Sequence, residues 1–187
     1  PKRGPAPDHK GAPGGAPSAK SAPDPGLPSA ASRASRRGVW AVLGALLLLF
    51  VLWAFFPVIQ HPFCYLDDDA YVAQNAQVQR GLTWDGVVWA FGQLHGVHTY
   101  WHPLTWISHM LDCQVFGVKP TGHHLVNLLL HVLNTGLVFV VFWHITGAPG
   151  RCLLLAALFA LHPLQVDTVA WVAERKNLLA AVFWLLT

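Results

Sequence analysis

Between Gly38 and Ile59 the chain runs for 22 residues without a charged side chain. Wound as a helix at about 1.5 Å per residue, such a run crosses a hydrocarbon core of roughly 30 Å, so it predicts a first membrane span. Leu125 to Ile145 is a second uncharged run, of 21 residues, which contains Asn127, His131 and Asn134. Their spacings of four and three place them on one helical face, and polar groups are costly in hydrocarbon, so that stripe is expected to face other helices. The run from Cys152 to Leu164 is shorter and broken near its end by His162 and Pro163; it is expected to climb back across the membrane. A fourth run begins at 178–187.

Gln60 to His124 is too polar to cross a bilayer and unusually aromatic for a loop. Trp84, Val87, Val88, Phe91 and Leu94 recur at three and four, with Thr83 as an N-cap and Asp85 in the first turn. Leu104, Ile107, Met110 and Leu111 repeat the pattern after Pro103. Both stretches read as interfacial helices, with Trp84, Trp89, Trp101 and Trp106 at headgroup depth. A small outer domain packed on itself is the alternative.

Charge orients these elements. Seven of the twelve Lys and Arg precede residue 38, whereas Gln60 to His124 carries five Asp against Arg80 and Lys119. By the positive-inside rule the N-terminus is cytoplasmic and the 60–124 loop lies outside; the basic end is not a nucleic-acid signal. Residues 1–37, rich in Pro, Ala, Gly and Ser, predict a disordered cytoplasmic tail. A signal peptide fits the first run less well than an uncleaved anchor, because the core is long and no A-x-A site follows. With 53% hydrophobic and 11% charged residues, the composition is that of a membrane protein and not of a small soluble domain. The chain starts at Pro1 and stops inside an apolar run, which reads as a fragment of a larger protein. Cys64 and Cys113 would share the outer side, paired or as free thiols, and Cys152 opens the third run.

Asp67, Asp68 and Asp69 stand together just beyond the first run. A carboxylate there can act as general base on a hydroxyl, and a guanidinium can hold a phosphate through paired hydrogen bonds. In extended chain Asp67 and Asp69 would share a face with Asp68 opposite; a solvated turn or a helix cap is the bland account of the triplet. Arg175 and Lys176, on the outer side in this topology, oppose the positive-inside bias, so at least one should have an anionic partner. His95, His98, His102, His109, His123 and His124 show no H-E-x-x-H pattern, and interfacial hydrogen bonding accounts for them better than a metal site. No metal set is assigned.

Five stretches resemble a known family: YLDDDAY (65–71), GLTWDGVVWAF (81–91), WHPLTWISHMLDCQVFG (101–117), GHHLVNLLLH (122–131) and ALFALHPLQVDTVAWVAERKNLLAAVFW (157–184). They resemble membrane glycosyltransferases of the GT-C fold, in the branch of the transmembrane and tetratricopeptide-repeat O-mannosyltransferases, with bacterial members especially similar. The resemblance implies an all-α, polytopic helical bundle with interfacial helices in the outer loop, multi-pass in a bacterial inner membrane. It implies transfer of a sugar from a polyprenyl-phosphate carrier to a protein or glycan hydroxyl, with further helices and a repeat domain beyond residue 187, so the fragment alone should be inactive. The essential outer acid falls on Asp67 or Asp68. Arg175 is the candidate phosphate ligand, and Glu174, Trp171 and His102 join it as substrate-binding candidates. No cofactor is required, and a divalent ion on the adjacent acids is compatible with the pattern. Gln165 departs from the common bacterial pattern, which has His there. A non-catalytic membrane anchor for a repeat scaffold, or a transporter using the Asn127, His131, Asn134 stripe, are the rival readings.

Overall fold

A computed structural model describes residues 4, 30–92 and 101–187. The expectations for His95, His98, Leu94 and most of the N-terminal tail fall outside these residues. Among the described residues all regular structure is helical.

Helix α1 (Ala30–Phe55) continues into a 3-10 turn at Phe56–Gln60. It starts eight residues before the apolar run, because 30–37 contains Ala, Ser and Arg but no Pro or Gly to stop a helix. The segment between the two long helices follows with a π turn (Asp69–Ala73), a short α2 (Ala76–Gln79), α3 (Trp84–Gly92) and α4 (Pro103–Phe116). Helix α5 (Pro120–Thr146) is the longest and packs against α1, α4, α6 (Pro149–Leu161), α7 (Gln165–Ala170) and α8 (Arg175–Leu186).

Two helices, spanning Ser35–Gln60 and Pro120–Thr146, are long and apolar enough to cross a membrane; α6 is shorter. Each start and stop has a local cause. Pro at the first turn opens α4, α5 and α6 without loss of a needed donor. Gly147, at φ 65°, ends α5 in the left-handed region where a Cβ would be penalised, and α6 begins two residues on. Thr83 Oγ1 accepts from the Gly86 N–H at 3.0 Å, the expected cap of α3.

The α5 stripe lies where its spacing placed it. Asn127, His131 and Asn134 are fully buried. Asn134 donates to the Leu178 carbonyl at 2.9 Å, and His131 Nε2 lies 3.1 Å from the Ala160 carbonyl. These bonds tie the stripe to α6 and α8.

In the segment between the two long helices the observed burial corrects the helical reading. On α4 the buried face is Thr105, Trp106, His109, Met110, Asp112 and Cys113, while Leu104 and Leu111 are exposed. On α3 Gly86 and Ala90 are buried, and Trp84, Val88 and Phe91 are exposed. The repeat residues divide between the two sides: Met110 is fully buried and Ile107 packs against the core, whereas Leu104, Leu111, Trp84, Val88 and Phe91 are exposed. The segment also has its own core, in which Tyr71, Val72, Val78, Ala90, Trp106 and Met110 meet Val172 and Ala173. The self-packed reading of this segment is thus met by a core of its own.

Candidate functional site

The acids do not lie in extended chain. Asp68, at φ −60° and ψ −29°, already has helical backbone and leads into the π turn, so the three side chains fan around a helical turn. Asp68 points inward and is fully buried. One oxygen accepts from the Cys64 N–H and the other from the Ala173 N–H, both at 2.8 Å. Burial raises its carboxyl above the usual range, the backbone N–H groups of Cys64 and Ala173 pull the other way, and neighbouring Asp67 adds to the rise. Asp67 and Asp69 are half-buried, and Asp69 accepts from Gln74 Nε2 at 3.3 Å.

Arg175 takes a different place from the one expected of a phosphate ligand. Its guanidinium is fully buried and donates to Asp112, to Ser108 Oγ at 3.1 Å, to Asn127 Oδ1 at 2.7 Å and to the His123 carbonyl at 2.7 Å. Four of its five donors are thus held by α4 and α5. An incoming phosphate would meet a single guanidinium N–H not already engaged, on a fully buried side chain. Arg175 ties the start of α8 into the bundle, and Asp112 is the anionic partner that an outer cation was expected to need.

Lys176 is the neighbouring cation that faces outward. Its Nζ lies 2.7 Å from Glu174 Oε1, 5.7 Å from the Tyr71 ring centroid and 6.0 Å from that of Trp171. Glu174 is also held by Asn177. Tyr71, His102 and Trp106 form a cluster of three mutually stacked rings, with centroids 5.3 Å (Tyr71–His102), 4.7 Å (Tyr71–Trp106) and 5.2 Å (His102–Trp106) apart. Burial, and secondarily the charge of Lys176, lowers the His102 imidazole below its ordinary value, favouring the neutral ring. Lys176 and His102 stand at a cleft of about 360 Å³ whose other walls include Phe91, Trp101, Leu179 and Phe183. Glu174, Trp171 and His102, expected near a substrate, are thus gathered around Lys176 and Tyr71; Asp68 and Arg175 lie behind them in the interior.

Sequence reasoning passed over Asp112 and Lys176. Their signals were a lone Asp three residues after His109 on an aromatic helix, and the second of two cations against the charge bias.

Behind Arg175, ligand-type atoms of His109, Asp112 and His123 all lie within 4.8 Å of one another, and all three residues are buried. His123 Nδ1 is 3.2 Å from Asp112 Oδ2, in a direction that does not make a hydrogen bond. Neither nitrogen of His109 has a hydrogen-bond partner. Burial, together with the charge of Arg175, holds His109 well below the ordinary histidine value. The described cysteines are free, Cys64 exposed and Cys113 and Cys152 buried.

Curated relatives match much of this chain. Protein O-mannosyl-transferase Tmtc2 of Drosophila melanogaster is 36% identical over 127 residues, covering 65% of this chain and 14% of that protein. Protein O-mannosyl-transferase TMTC2 of Homo sapiens is 34% identical over 131 residues, covering 67% and 15%. Protein O-mannosyl-transferase Tmtc1 of Drosophila melanogaster is 38% identical over 91 residues, covering 49% and 11%. The chain spans less than a fifth of the length of these relatives. No family model matches the chain, and no solved structure matches it.

Proposed function

Since this chain is a relative of the TMTC protein O-mannosyl-transferases, we propose that the protein it comes from is a membrane glycosyltransferase of GT-C type. In this reading it moves a sugar from a polyprenyl-phosphate carrier to an acceptor hydroxyl, a protein Ser or Thr being the acceptor suggested by the relatives' name. The two long apolar helices fit a lipid-linked donor, because they bring the acid turn to the end of a membrane span.

The observation that carries the proposal is the bond between Asp68 and the Ala173 N–H, which sets the acid turn beside the cationic start of α8. Asp67, half-buried next to that anchor, is the candidate base. It takes the proton of the acceptor hydroxyl as that oxygen bonds to the anomeric carbon. The bond from that carbon to the carrier phosphate breaks, and the carrier phosphate leaves with the electron pair.

Lys176 replaces Arg175 as the candidate partner of that phosphate, since it is only part-buried and its present partners, Glu174 and the Ala173 carbonyl, lie within three residues of it in the chain. The apolar cleft beside it suits the first isoprene units of a carrier. Asp68 and Arg175 then act as positioning residues. Transfer takes place on the outer face, with the N-terminus in the cytoplasm, on the charge argument.

The test uses the full-length protein in membranes with a panel of radiolabelled polyprenyl-phosphate sugars, wild type against Asp67→Asn. Label reaching an acceptor in wild type and not in the variant supports the reading and names the donor. Absence of transfer from every donor would sink it in favour of a non-catalytic anchor.

A further inference from the structure

The three side chains behind Arg175 have more unspent ligand capacity than a hydrophobic or hydrogen-bonded core requires. On α4, His109 and Asp112 are three residues apart and so share one helical face. His123 meets them from the first turn of α5. The approach is permitted by Gly122, where a Cβ would lie 2.4 Å from the Phe116 side chain. A buried polar atom with no partner costs about 1–3 kcal/mol, and His109 and His123 hold three such nitrogens, both of His109 and Nδ1 of His123, with one nitrogen of each ring available to a shared ion.

We propose that His109, Asp112 and His123 bind a zinc-class divalent cation that clamps α4 to α5. Two imidazole nitrogens and one carboxylate oxygen suit zinc or a neighbouring transition metal far better than magnesium or calcium, which prefer oxygen ligands alone. Tetrahedral ligands at zinc distances lie about 3.4 Å apart, so ligand atoms now within 4.8 Å need only side-chain rotation to close. Arg175 does not preclude the ion. A carboxylate has about four lone-pair positions, and the guanidinium uses one of those on Asp112 Oδ2. The charge balance allows it: among the described residues two buried carboxyl groups, Asp68 and Asp112, stand against one buried guanidinium, Arg175. The role is structural, because His109 and His123 are 0% exposed and Asp112 3%, with no opening for a substrate. The proposal is independent of the transferase reading.

The experiment takes the full-length protein, purified in detergent with a tag free of histidine, stripped with a chelator and returned to equimolar Zn²⁺ or excess Mg²⁺. Metal analysis should find about one tightly held zinc per chain, and the melting temperature should rise with Zn²⁺ and not with Mg²⁺. His109→Gln should lose both the retained zinc and the shift, while melting close to zinc-free wild type. Equal zinc retention and an equal shift in the variant would overturn the proposal, as would no retention in wild type. Should His109→Gln fail to fold, Co²⁺ added to stripped wild type decides: visible bands of a tetrahedral nitrogen and oxygen site support the clamp, and a spectrum of hydrated Co²⁺ refutes it.

Discussion

Asp68 accepts a hydrogen bond from the backbone N–H of Ala173, 105 positions further along the chain, at 2.8 Å. With its other oxygen on the Cys64 N–H it joins the turn after α1 to the turn before α8. Both oxygens serve as acceptors, so an amide cannot replace the carboxylate without facing one N–H with another. Asp68→Asn should therefore destabilise the protein by about 1–3 kcal/mol, read as a lower melting temperature in detergent. A variant that melts like wild type but has lost transfer would instead make Asp68 the base.

The Arg175 and Asp112 pair yields a second test. Removing one member leaves the other charge buried and alone, so Arg175→Ala and Asp112→Ala should each cost about 3–5 kcal/mol. The double variant should cost clearly less than the sum. Arg175→Lys should not restore stability, because an ammonium cannot reach Asp112, Asn127 and the His123 carbonyl from one planar fork. Loss of transfer in Arg175→Ala without any loss of stability would return Arg175 to the phosphate.

Much of this framework is legible in the chain because long uncharged runs and their local stop signals leave few alternatives to helix. Uncharged runs, Pro at helix starts and Gly147 give the helices, and the spacing of Asn127, His131 and Asn134 gives the face that meets α6 and α8. The site was harder to read. Arg175 and Lys176 are adjacent and equally basic in sequence, and only the packing of α4 and α5 turns one inward and the other outward. The apolar repeats of α3 and α4 gave the helices but did not say which side chains would be buried: polar His109 and Asp112 are, together with Met110, while Leu104 and Leu111 are not. Periodicity reports hydrophobic faces and is silent on buried ion pairs.

Thiol reactivity probes the α4 face. Burial penalises the thiolate, which is the reactive form, and lifts the Cys113 thiol to about 11. At pH 8 a maleimide should label exposed Cys64 and spare Cys113, with Cys113 labelling accelerating only as the pH approaches that value. Mass spectrometry of labelled peptides reads the outcome, and equal labelling of the two at pH 8 would mean that the inner face of α4 is open.

Gly122 permits the close approach of the α5 start to Phe116. The clash of an added Cβ falls on the root of the Phe116 side chain, which has little freedom to move. Gly122→Ala should cost about 1–3 kcal/mol by overpacking, and Phe116→Ala in the same chain should recover part of the lost melting temperature.

The central claim is that the acid turn supplies a base and Lys176 a phosphate partner. Steady-state transfer by the full-length protein, with the lipid-linked sugar varied, tests it most directly. Asp67→Asn should lower kcat by about 10²–10⁴-fold with the donor KM little changed, while Lys176→Gln should chiefly raise the donor KM. Wild-type kinetics in both folded variants would contradict the account.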